Sequence, residues 1–335
     1  MLDSLVWVIG KGGLLGQHLN AMVSKEPYRA DVWEAPFHFA WEDPQKVRDQ
    51  LQAALLTFLP LAHQHYRSFS IFWAAGRGII GSTEESMSRE SQTLENFLSA
   101  FGDIRMANRS IPGLFFLASS AGGVYGDNDS LPFNEASACQ PVSPYGHHKL
   151  RQEGMVRTFA NQHPGIAVLI GRISSLYGPG QNQNKAQGLI SQISRRILHR
   201  FPISILVPLD TLRDYLHVED CSHSILHCAS RILHMPTSQR SQAVSLKIFA
   251  SEELCTIARV LGIFSHISAE KPKFLCSEKA SSGLQVRKMQ FRSCVDFGGT
   301  APKARPLLEG IASLHRHHFQ LMQAGKLAHP TPLVL

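Results

Sequence analysis

The amino-acid sequence predicts an α/β fold with a doubly wound parallel sheet and a smaller C-terminal lobe. Up to Tyr177, short apolar segments alternate with longer helix-like ones. Such alternation is typical of βαβ units with right-handed crossovers, which place parallel strands in one sheet with helices on both faces. The first apolar segment also ends in closely spaced glycines, as a strand does where it turns into a helix. Beyond Tyr177 the alternation loosens, so we expect a second lobe and a functional cleft between the lobes.

The predicted elements follow one another along the chain. The sheet strands are SLVWVIG, DVWEA, SIFWAAG, GLFFLASS and IAVLIGRIS, which are mostly short apolar runs of the kind buried in parallel sheets. The helices between them are LLGQHLNAMVSK, DPQKVRDQLQAALLTFLP, SQTLENFLSAFGDIRMA and PYGHHKLRQEGMVRTFANQ. The C-terminal part contributes the strand ISILVP and the helices LISQISRRILHR, SEELCTIARVLG and PLLEGIASLHRHHFQLM.

Length and composition indicate an ordinary globular protein. The 335 residues suffice for one large or two modest domains, and 44% of them are apolar and 18% charged. No stretch approaches the run of about 18 apolar residues that a transmembrane helix needs. The N-terminal residues have neither the basic segment nor the cleavage site of a secretory signal and enter a strand directly. These features predict a cytoplasmic protein without membrane association.

The patterns of cysteine, charge and histidine argue against several classes of site. Six cysteines occur without CxxC spacing, which favours reduced thiols over disulfides or a zinc site. The net charge of +7 is compatible with an anionic substrate such as a nucleotide. Because there is no Lys/Arg block or basic-aromatic stripe, we expect a generally basic surface and no nucleic-acid binding. The histidines of HRHH (315–318) are expected on the solvated face of a helix, so we predict no metal site.

The segment VIGKGGLLG predicts a phosphate-binding turn. Gly10, Gly13 and Gly16 lie three apart, directly after the first strand and at the start of a helix. Glycines there allow a tight turn, a close approach of the backbone to a pyrophosphate and close packing of the helix on the sheet. The helix N-terminus then offers free N–H groups. A glycine triplet also fits a purely structural turn, but strand, turn and helix together favour dinucleotide binding.

Two charged residues bear on which dinucleotide is bound. Glu34 lies 18 residues after Gly16, near the end of the second predicted strand. A carboxylate there would accept hydrogen bonds from the adenosine ribose hydroxyls and repel a 2′-phosphate, which favours NAD. Lys11, inside the glycine turn, offers a cation that could attract the 2′-phosphate of NADP. The sequence therefore favours NAD and leaves NADP open.

The segment SPYGHHKL contains a tyrosine and a lysine on one helical face. Tyr145 and Lys149 are four residues apart. A phenol is a poor base at neutral pH, but a nearby ammonium and a positive nicotinamide ring stabilise the phenolate. The phenol can then take a proton from an alcohol or sugar hydroxyl as hydride leaves the carbon, and return it in the reverse step. The pair could be a surface helix pair by chance, but its position downstream of a dinucleotide turn favours catalysis.

With these motifs in place, the chain resembles the extended short-chain dehydrogenases/reductases, the NAD-dependent nucleotide-sugar epimerase/dehydratase family. The resemblance covers nearly the whole chain and rests on six motifs in order. They are GKGGLLG (10–16), FWAAG (72–76), LASSAGGVYGD (117–127), PFNEASACQPVSPYGHHKL (132–150), GRISSLYGPGQ (171–181) and LRDYLHVEDCS (212–222).

The resemblance implies a Rossmann-type NAD(P)-binding domain over 1–176, to which 213–245 return, and a substrate-binding lobe formed by 177–212 and 246–335. It also implies a nucleotide-diphosphate sugar as substrate, a homodimer formed through paired helices, and Tyr145 and Lys149 as a catalytic pair with a helper Ser or Thr. The residues implied to contact the cofactor are Gly10, Lys11, Gly13, Leu14, Leu15, Gly16, Glu34, Ala74, Ala75, Gly76, Tyr145 and Lys149.

The helper hydroxyl is displaced in this sequence. In the family it usually lies three residues before the Val of VYG, where this chain has Ala121. Either the helper is absent, or the loop is shifted by one small residue so that Ser120, or less readily Ser119, supplies the hydroxyl. We favour the shifted loop, because Gly122 and Gly123 accommodate unusual backbone geometry. Otherwise both serines only cap the end of the strand.

The same loop bears on the reaction. Relatives that dehydrate sugars carry an Asp-Glu pair just before VYG, and decarboxylating relatives carry a Glu there, whereas this chain has Gly122 and Gly123. We therefore expect epimerisation of a nucleotide sugar at C4 through a keto intermediate, with the small residues leaving room for the sugar to turn. The alternatives are an NADPH-dependent reductase of a keto-sugar or other carbonyl, and a non-catalytic relative that senses NAD(P) and binds a partner.

Arg213, in TLRDY, is a candidate for binding the substrate diphosphate. It resembles the arginine that pairs with the diphosphate in the family, and a bidentate guanidinium suits phosphate oxygens. The structural alternative is a salt bridge to Asp214 or Glu219.

Three further substrate contacts follow from the resemblance. Gln187 lies in NKAQGL, after the loop that usually covers the nucleotide. Arg287 or Arg292 could form a second phosphate contact or lie on a solvated surface. Ser175 stands where many relatives have Asn, so the usual contact there is altered.

Overall fold

The computed structural model describes residues 2–106, 111–126, 131–183, 188–205, 207–236, 244–269, 272–276, 286–299 and 303–330. The strands are β1 (Leu2–Ile9), β2 (Asp31–Trp33), β3 (Tyr66–Trp73), β4 (Gly113–Ser120), β5 (Ile166–Ile173), β6 (Ser175–Tyr177), β7 (Ile203–Ile205), β8 (Leu212–His217), β9 (Val244–Phe249), β10 (Leu254–Thr256) and β11 (Phe274–Cys276). The helices are α1 (Leu14–Val23), α2 (Pro44–His65), α3 (Glu84–Met106), α4 (Ala121–Val124), α5 (Pro144–Gln162), α6 (Leu189–Leu198), α7 (Val218–Leu233), α8 (Ile257–Ile267) and α9 (Leu307–Gln323).

Six parallel strands form the main sheet, in the order β2-β1-β3-β4-β5-β9. The chain moves outward from β1 to β2 and then crosses back, so that β3 pairs with the other edge of β1. This reversal places the carboxyl ends of β1 and β3 side by side. In sheets of this kind, ligands bind in the crevice beyond such a reversal. The predicted doubly wound parallel sheet is confirmed.

The alternating side chains of each strand pack on two different helical layers. In β1, Leu5, Trp7 and Ile9 belong to a core shared with α2, α3 and α5, whereas Val6 and Val8 belong to a core shared with α1 and α7. This follows from the two-residue period of a strand. Because both faces are covered, all five side chains are buried, and each contributes roughly 1.5–3 kcal/mol of hydrophobic stabilisation. The two-sided burial explains why the strand is a continuous apolar run.

The C-terminal lobe consists of short strands and three helices. β6, β8 and β10 form a three-stranded sheet, and β7 pairs with β11. Helices α6, α8 and α9 surround a separate core, to which α9 contributes Leu307, Ile311 and Leu314 at helical spacing. None of the helices in the described ranges is both long enough and apolar enough to span a membrane.

The boundary between the lobes differs from the sequence prediction in two places. β8, which lies in the predicted return of 213–245 to the NAD(P)-binding domain, pairs instead with β6 and β10. β9 is the last strand of the main sheet and pairs with β5. The sheet therefore extends to Phe249, whereas the sequence predicts that the substrate-binding lobe resumes at 246. Helix α7 packs on the main sheet, where Cys221 and Ile225 share a core with β1 and β4. The full division into 1–176 with 213–245 and 177–212 with 246–335 stays a prediction.

The segment SEELCTIARVLG is not helical throughout, as the sequence predicts it to be. Leu254–Thr256 form β10, antiparallel to β8, and α8 begins only at Ile257. The cause is Thr256, whose hydroxyl accepts a hydrogen bond from the Arg259 N–H at 3.1 Å and caps the helix at that point.

The histidines of HRHH do not form a solvated helix face, and this prediction is wrong for two of the three. His318 is 3% exposed, and Ser194 Oγ on α6 lies 2.9 Å from Nδ1 of both His318 and His315. Their three-residue spacing turns both rings toward α6. Burial lowers the pKa of His318 to about 3, so this ring packs without charge. Within the described ranges, no group of three or more His, Cys, Asp or Glu side chains is arranged to hold a metal ion.

Candidate active site

A cleft of about 480 Å³ opens at the carboxyl edge of the main sheet. Its floor comes from the loops after β1, β3 and β4 and from α5, and its far wall includes Leu189 and Thr211. Ligand sites of parallel α/β sheets lie at this edge. The predicted site residues that line the cleft are Gly13, Leu14, Leu15, Ala74, Ala75, Gly76, Ser119, Ser120, Tyr145, Lys149, Ser175 and Arg213.

The glycine turn after β1 brings strand and helix into close contact. Gly10 has φ +93°, which favours glycine, and a Cβ at this position would lie 2.5 Å from the Ala75 nitrogen. A Cβ on Gly16 would collide with the Gly10 carbonyl oxygen. Helix α1 can therefore approach β1 and the loop after β3 only because both positions are bare. The two glycines act indirectly, by setting the N-terminus of α1 at the cleft.

The start of α1 is open toward the cleft. Gly13, the N-cap, has an extended backbone and no side-chain cap. A Cβ on Gly12 would meet nothing within 4 Å, so the turn faces open space. A helix leaves the N–H groups of its first turn without intrahelical partners, and its dipole is positive at this end. The arrangement fits the diphosphate of a dinucleotide.

Lys11 and Glu34 form an ion pair beside the turn. Lys11 Nζ lies 2.7 Å from Glu34 Oε2, and Asn20 Nδ2 lies 3.4 Å from Glu34 Oε1. The hydrogen bond from Lys11 holds the pKa of Glu34 below its usual value. The carboxylate suited to a ribose hydroxyl and the ammonium suited to a ribose phosphate thus occupy the same place. A ligand must displace one of the two from the other, which is why the sequence alone leaves both cofactors open.

Helix α5 presents Tyr145 and Lys149 to the cleft. The helix begins where the Ser143 hydroxyl accepts a hydrogen bond from the Gly146 N–H at 3.2 Å, with Pro144 in the first turn. Lys149 Nζ lies 5.8 Å from the centre of the Tyr145 ring and donates to the Ala118 carbonyl oxygen at 3.3 Å. Lys149 is only 7% exposed. A cation held this close to a phenol stabilises the phenolate.

The two serines at the end of β4 have different partners. The Ser119 hydroxyl donates to Glu153 Oε1 at 2.6 Å, inside a buried ion pair of Glu153 with Arg172. Ser120 Oγ accepts a hydrogen bond from the Gly123 N–H at 3.1 Å and lies in the cleft. Although Ser119 also touches the cleft wall, its hydroxyl hydrogen is engaged by the carboxylate. Successive residues of a strand face opposite sides, which separates the two hydroxyls.

The structure gives a reason for the missing hydroxyl at Ala121. Ala121 is fully buried and packs with Val124, Tyr125 and Met289 in a small core. Its side chain is therefore not directed at the cleft. Ser120 caps the short helix α4 and presents its oxygen one residue earlier than the family pattern.

Gly123 is bare because the Tyr145 ring packs on it. A Cβ at Gly123 would lie 2.8 Å from Tyr145 Cε1 and 3.3 Å from Ser120 Oγ, so both groups lie against this position. A Cβ on Gly146 would collide with the Gly123 carbonyl oxygen, which ties α4 to α5. Of the two glycines, Gly122 lines the cleft, where a Cβ would meet Met289 Sδ at 3.4 Å. Space for a sugar can therefore explain the absence of a side chain at Gly122, whereas packing of the Tyr145 ring explains it at Gly123.

Arg213 lies in the cleft without either of the carboxylate partners considered from the sequence. Its Nη1 donates to the Leu212 carbonyl oxygen at 2.9 Å. Asp214 instead accepts hydrogen bonds from Ser251, and Glu219 pairs with Arg305. Burial lowers the pKa of the Arg213 guanidinium. A half-buried cation in a cleft suits an anionic ligand group.

The other proposed substrate contacts are more scattered. Ser175 lines the cleft at the start of β6. Arg287 forms an exposed ion pair with Asp210 at 2.6 Å, outside the residues that line the cleft. Gln187 lies outside the described residues. These residues stay predictions as substrate contacts.

Two neighbours of the site were not identified in the sequence analysis. Met289 reaches the cleft from a segment without a motif. Gln152 is the second acceptor of the Lys149 ammonium, with Oε1 at 3.1 Å from Nζ. Its three-residue distance from Lys149 on α5 was an available signal, since such residues share a helix face.

Comparisons with known proteins agree with this geometry. The sequence profile of the NAD dependent epimerase/dehydratase family matches residues 6–238. The chain is 37% identical over 103 residues to the dTDP-4-dehydro-6-deoxyglucose reductase of Escherichia coli, a match that covers 31% of this chain and 32% of that protein. It is 32% identical over 115 residues to the UDP-glucose 4-epimerase of Azospirillum brasilense, covering 30% of this chain and 33% of that protein. The matched segments thus span about a third of the length of these curated relatives.

Solved structures are similar over the full chain. The UDP-glucose 4-epimerase of Thermotoga maritima, solved with UDP-glucose, has a TM-score of 0.72 and 17% identity, over 96% of this chain and 100% of that one. MoeE5 in complex with UDP-glucose and NAD has a TM-score of 0.70 and 20% identity, over 96% and 99% of the two chains. At these identities the similarity concerns the fold alone. The six-stranded main sheet and the second lobe are consistent with it.

Proposed function

This chain belongs to the NAD dependent epimerase/dehydratase family, and from this premise we propose that it epimerises a nucleotide-diphosphate sugar at C4 through a transient keto intermediate, with NAD as cofactor. The observation that carries the proposal is that Ser120, Tyr145 and Lys149 share one cleft with the open N-terminus of α1. The 4-epimerases among the relatives and the solved structures support it.

The residues around the glycine turn fit a dinucleotide. The first turn of α1 would hold the diphosphate, Glu34 would accept hydrogen bonds from the adenosine ribose, and Ala74–Gly76 would border the dinucleotide beyond β3. When bound, NAD supplies the acceptor and the donor of a hydride. We favour NAD over NADP because a carboxylate at the ribose disfavours a second phosphate there.

Tyr145 is the proposed acid and base. Its phenolate oxygen takes the proton of the C4 hydroxyl as that oxygen becomes a carbonyl, and returns it when the opposite face of the sugar is reduced. The Lys149 ammonium stabilises the phenolate throughout. The Ser120 hydroxyl donates a hydrogen bond to the sugar oxygen and holds it against Tyr145. Because the proton stays on Tyr145 between the two half-reactions, no other proton donor is needed.

The substrate features follow from the cleft walls. Arg213 would pair with the substrate diphosphate, with Ser175 as a further candidate contact in the cleft. Arg287, which lies outside the cleft lining, is a candidate only if it leaves its ion pair with Asp210. Gly122 and Gly123 stand where dehydrating relatives carry an Asp-Glu pair and decarboxylating relatives a Glu, so neither position supplies a second acid or base. Elimination of water needs such a group. This favours epimerisation or simple reduction over dehydration.

A second candidate function is NADPH-dependent reduction of a keto-sugar. The similarity to the reductase of Escherichia coli favours it, and Lys11 offers a cation for a ribose phosphate. The same Tyr145 chemistry would then run in one direction only. Each turnover would take one hydride from added NADPH and one proton through Tyr145, which solvent replaces.

One experiment separates the two functions. The purified protein is incubated with a panel of UDP-, dTDP- and GDP-sugars, and inversion at C4 is followed by NMR. An epimerase retains NAD through purification, inverts a sugar and shows no net turnover of added NADPH. Consumption of NADPH on a keto-sugar, with no inversion of any sugar in the panel, would overturn the epimerase proposal.

We also propose a cytoplasmic homodimer. The family resemblance implies a dimer through paired helices. The free cysteines Cys139, Cys221, Cys228, Cys255 and Cys294 fit a reducing compartment. Light scattering of the purified protein tests the dimer, because it measures the mass in solution directly.

A further inference from the structure

A buried line of polar side chains connects Lys149 to the protein surface between α3 and α5. Lys149 Nζ lies 3.1 Å from Gln152 Oε1, and Gln152 Nε2 lies 3.4 Å from Ser91 Oγ. Ser91 Oγ lies 2.9 Å from His148 Nδ1, and His148 Nε2 lies 2.7 Å from Glu84 Oε1. Ser91, His148 and Gln152 are each less than 5% exposed, whereas the Glu84 side chain is 72% exposed. The line therefore begins at a proposed catalytic residue and ends in solvent.

The helix periods explain how the line forms. His148 and Gln152 lie four residues apart on α5, and Glu84 and Ser91 lie seven apart on α3, so each pair occupies one helix face. Such a helix–helix contact is usually apolar. Here two polar pairs interlock instead, and each of their side chains has a polar partner. Burying polar groups costs free energy unless all of them are hydrogen-bonded, so the arrangement calls for a specific reason.

The two ends of the line set the direction of its hydrogen bonds. An ammonium has no acceptor, so Gln152 must turn its oxygen toward Lys149 and donate through its nitrogen to Ser91 Oγ. Ser91 then directs its own hydrogen at His148 Nδ1. A histidine that accepts at Nδ1 carries its hydrogen on Nε2 and donates it to the Glu84 carboxylate. All four bonds thus point outward from Lys149: the ammonium sets the orientation of the Gln152 amide, and the Glu84 carboxylate, which accepts, places the histidine hydrogen on Nε2.

We propose that Gln152, Ser91 and His148 are positioning residues that hold the Lys149 ammonium at the Tyr145 phenol, with Glu84 as the outer anchor; this proposal rests on the proposed function. The other acceptor of Lys149, the Ala118 carbonyl oxygen, lies at 3.3 Å, farther than the Gln152 oxygen at 3.1 Å. Gln152 restrains the ammonium, Ser91 restrains the amide, and His148 restrains the hydroxyl. An ordered ammonium is what sustained stabilisation of a phenolate requires.

The hydrogen-bond direction is tested without any assay of activity. In protein labelled with ¹⁵N-histidine and ¹⁵N-lysine, long-range ¹⁵N–¹H spectra report which ring nitrogen of His148 carries hydrogen, and His148→Asn assigns the signal. We expect the hydrogen on Nε2 and an accepting Nδ1. We also expect a slowly exchanging Lys149 ammonium signal, assigned with Lys149→Met, that disappears in Gln152→Leu. Hydrogen on Nδ1, or an ammonium signal that Gln152→Leu leaves unchanged, would overturn the proposal.

The kinetic arm separates positioning from a purely structural role. In Gln152→Leu and Ser91→Ala we expect kcat to fall roughly 10- to 100-fold with an unchanged KM for the nucleotide sugar. Ser91→Thr, which keeps the hydroxyl, should retain most of kcat. Glu85→Gln is the matched control, since Glu85 is exposed on α3 and pairs with Arg89, outside the line. Normal kcat in Gln152→Leu and Ser91→Ala contradicts the proposal. If the wild-type protein turns over no sugar, the proposed function fails while the NMR arm still decides this inference.

Discussion

The two sides of β4 at its carboxyl end carry the same residue type in different surroundings. On one side, Ser119 donates to Glu153, and Glu153 pairs with Arg172 at 2.8 Å; these three residues form the core-side cluster. All three are at most 5% exposed. Burial alone disfavours the charge of Arg172, but hydrogen bonds and the charge of Glu153 outweigh it and raise the pKa of the guanidinium. In this cluster every charge has an opposite charge.

On the other side, Ser120, Tyr145 and Lys149 form the cleft-side cluster. Here the ammonium of Lys149 donates to two neutral oxygens, those of Ala118 and Gln152, and the phenol of Tyr145 faces the cleft. The two clusters differ in whether each charged side chain has a partner of opposite charge, and this difference separates a role in folding from the proposed role in the reaction. Removing one partner from a compensated buried cluster lowers the free energy of unfolding, whereas a cation without an ion pair beside a cleft is available to a reacting group. The expected effects of substitution follow from this difference.

The largest expected effect is on the cleft side. Tyr145→Phe removes only the phenol oxygen, and the ring keeps its contact with Gly123. We expect kcat to fall roughly 10³-fold or more, because the acid and base of both half-reactions is lost. The NMR inversion assay measures this loss. Affinity for NAD and the melting temperature serve as controls and should stay at the wild-type values.

A large melting-temperature change in Tyr145→Phe would contradict the separation between the two clusters. It would mean that the phenol contributes to folding as the core-side residues do.

The core side should show the opposite behaviour. Arg172→Leu leaves the Glu153 carboxylate buried without its guanidinium, and we expect the free energy of unfolding to fall by about 3–5 kcal/mol. Urea unfolding measures this change. The double variant Arg172→Leu, Glu153→Leu should recover much of the loss, because it removes both charges. If the double variant does not regain the free energy of unfolding, the Arg172 contact with Tyr125 Oη, at 2.9 Å, dominates instead.

Much of the fold could be predicted from the sequence because short runs of buried apolar side chains recur along the chain. The central strands β1, β4 and β5 are covered on both faces, so each appears as an apolar run, and Ser143-Pro144 marks the start of α5. The strand Leu254–Thr256 could not be predicted in this way. It is three residues long, and only its pairing with β8 distinguishes it from the first turn of a helix.

For the site, motif spacing predicted the turn, the tyrosine and the lysine, whose partners are close in sequence. The roles of Ser119 and Ser120 could not be assigned, because they depend on which side of β4 faces Glu153, 34 positions away in the chain. The bareness of Gly123 likewise depends on the Tyr145 ring from another helix. The residue types of the site could thus be predicted from motifs within one segment of the chain. The directions of the side chains could not, because they depend on contacts with distant segments.

A smaller effect is expected from Ser120→Ala. The sugar oxygen loses its hydrogen bond, so kcat should fall on the order of 10²-fold, which the same inversion assay measures. The lost cap on the Gly123 N–H should cost about 1 kcal/mol of stability. Ser120→Thr keeps the hydroxyl and is the matched control. An unchanged kcat in Ser120→Ala would remove Ser120 from the cleft-side cluster.

The smallest effect is expected from Ser119→Ala, the neighbouring and otherwise identical change. Glu153 loses one hydrogen bond but keeps two contacts to Arg172, at 3.0 and 2.8 Å, so the free energy of unfolding should fall by only about 1–2 kcal/mol. The value of kcat should not change, because the hydroxyl points away from the reacting groups. A double-mutant cycle with Glu153→Gln should give a coupling of roughly 0.5–3 kcal/mol in unfolding and none in kcat. If instead Ser119→Ala lowers kcat while Ser120→Ala does not, Ser119 supplies the helper hydroxyl. The reacting groups then lie on the side of β4 that faces Glu153 and Arg172.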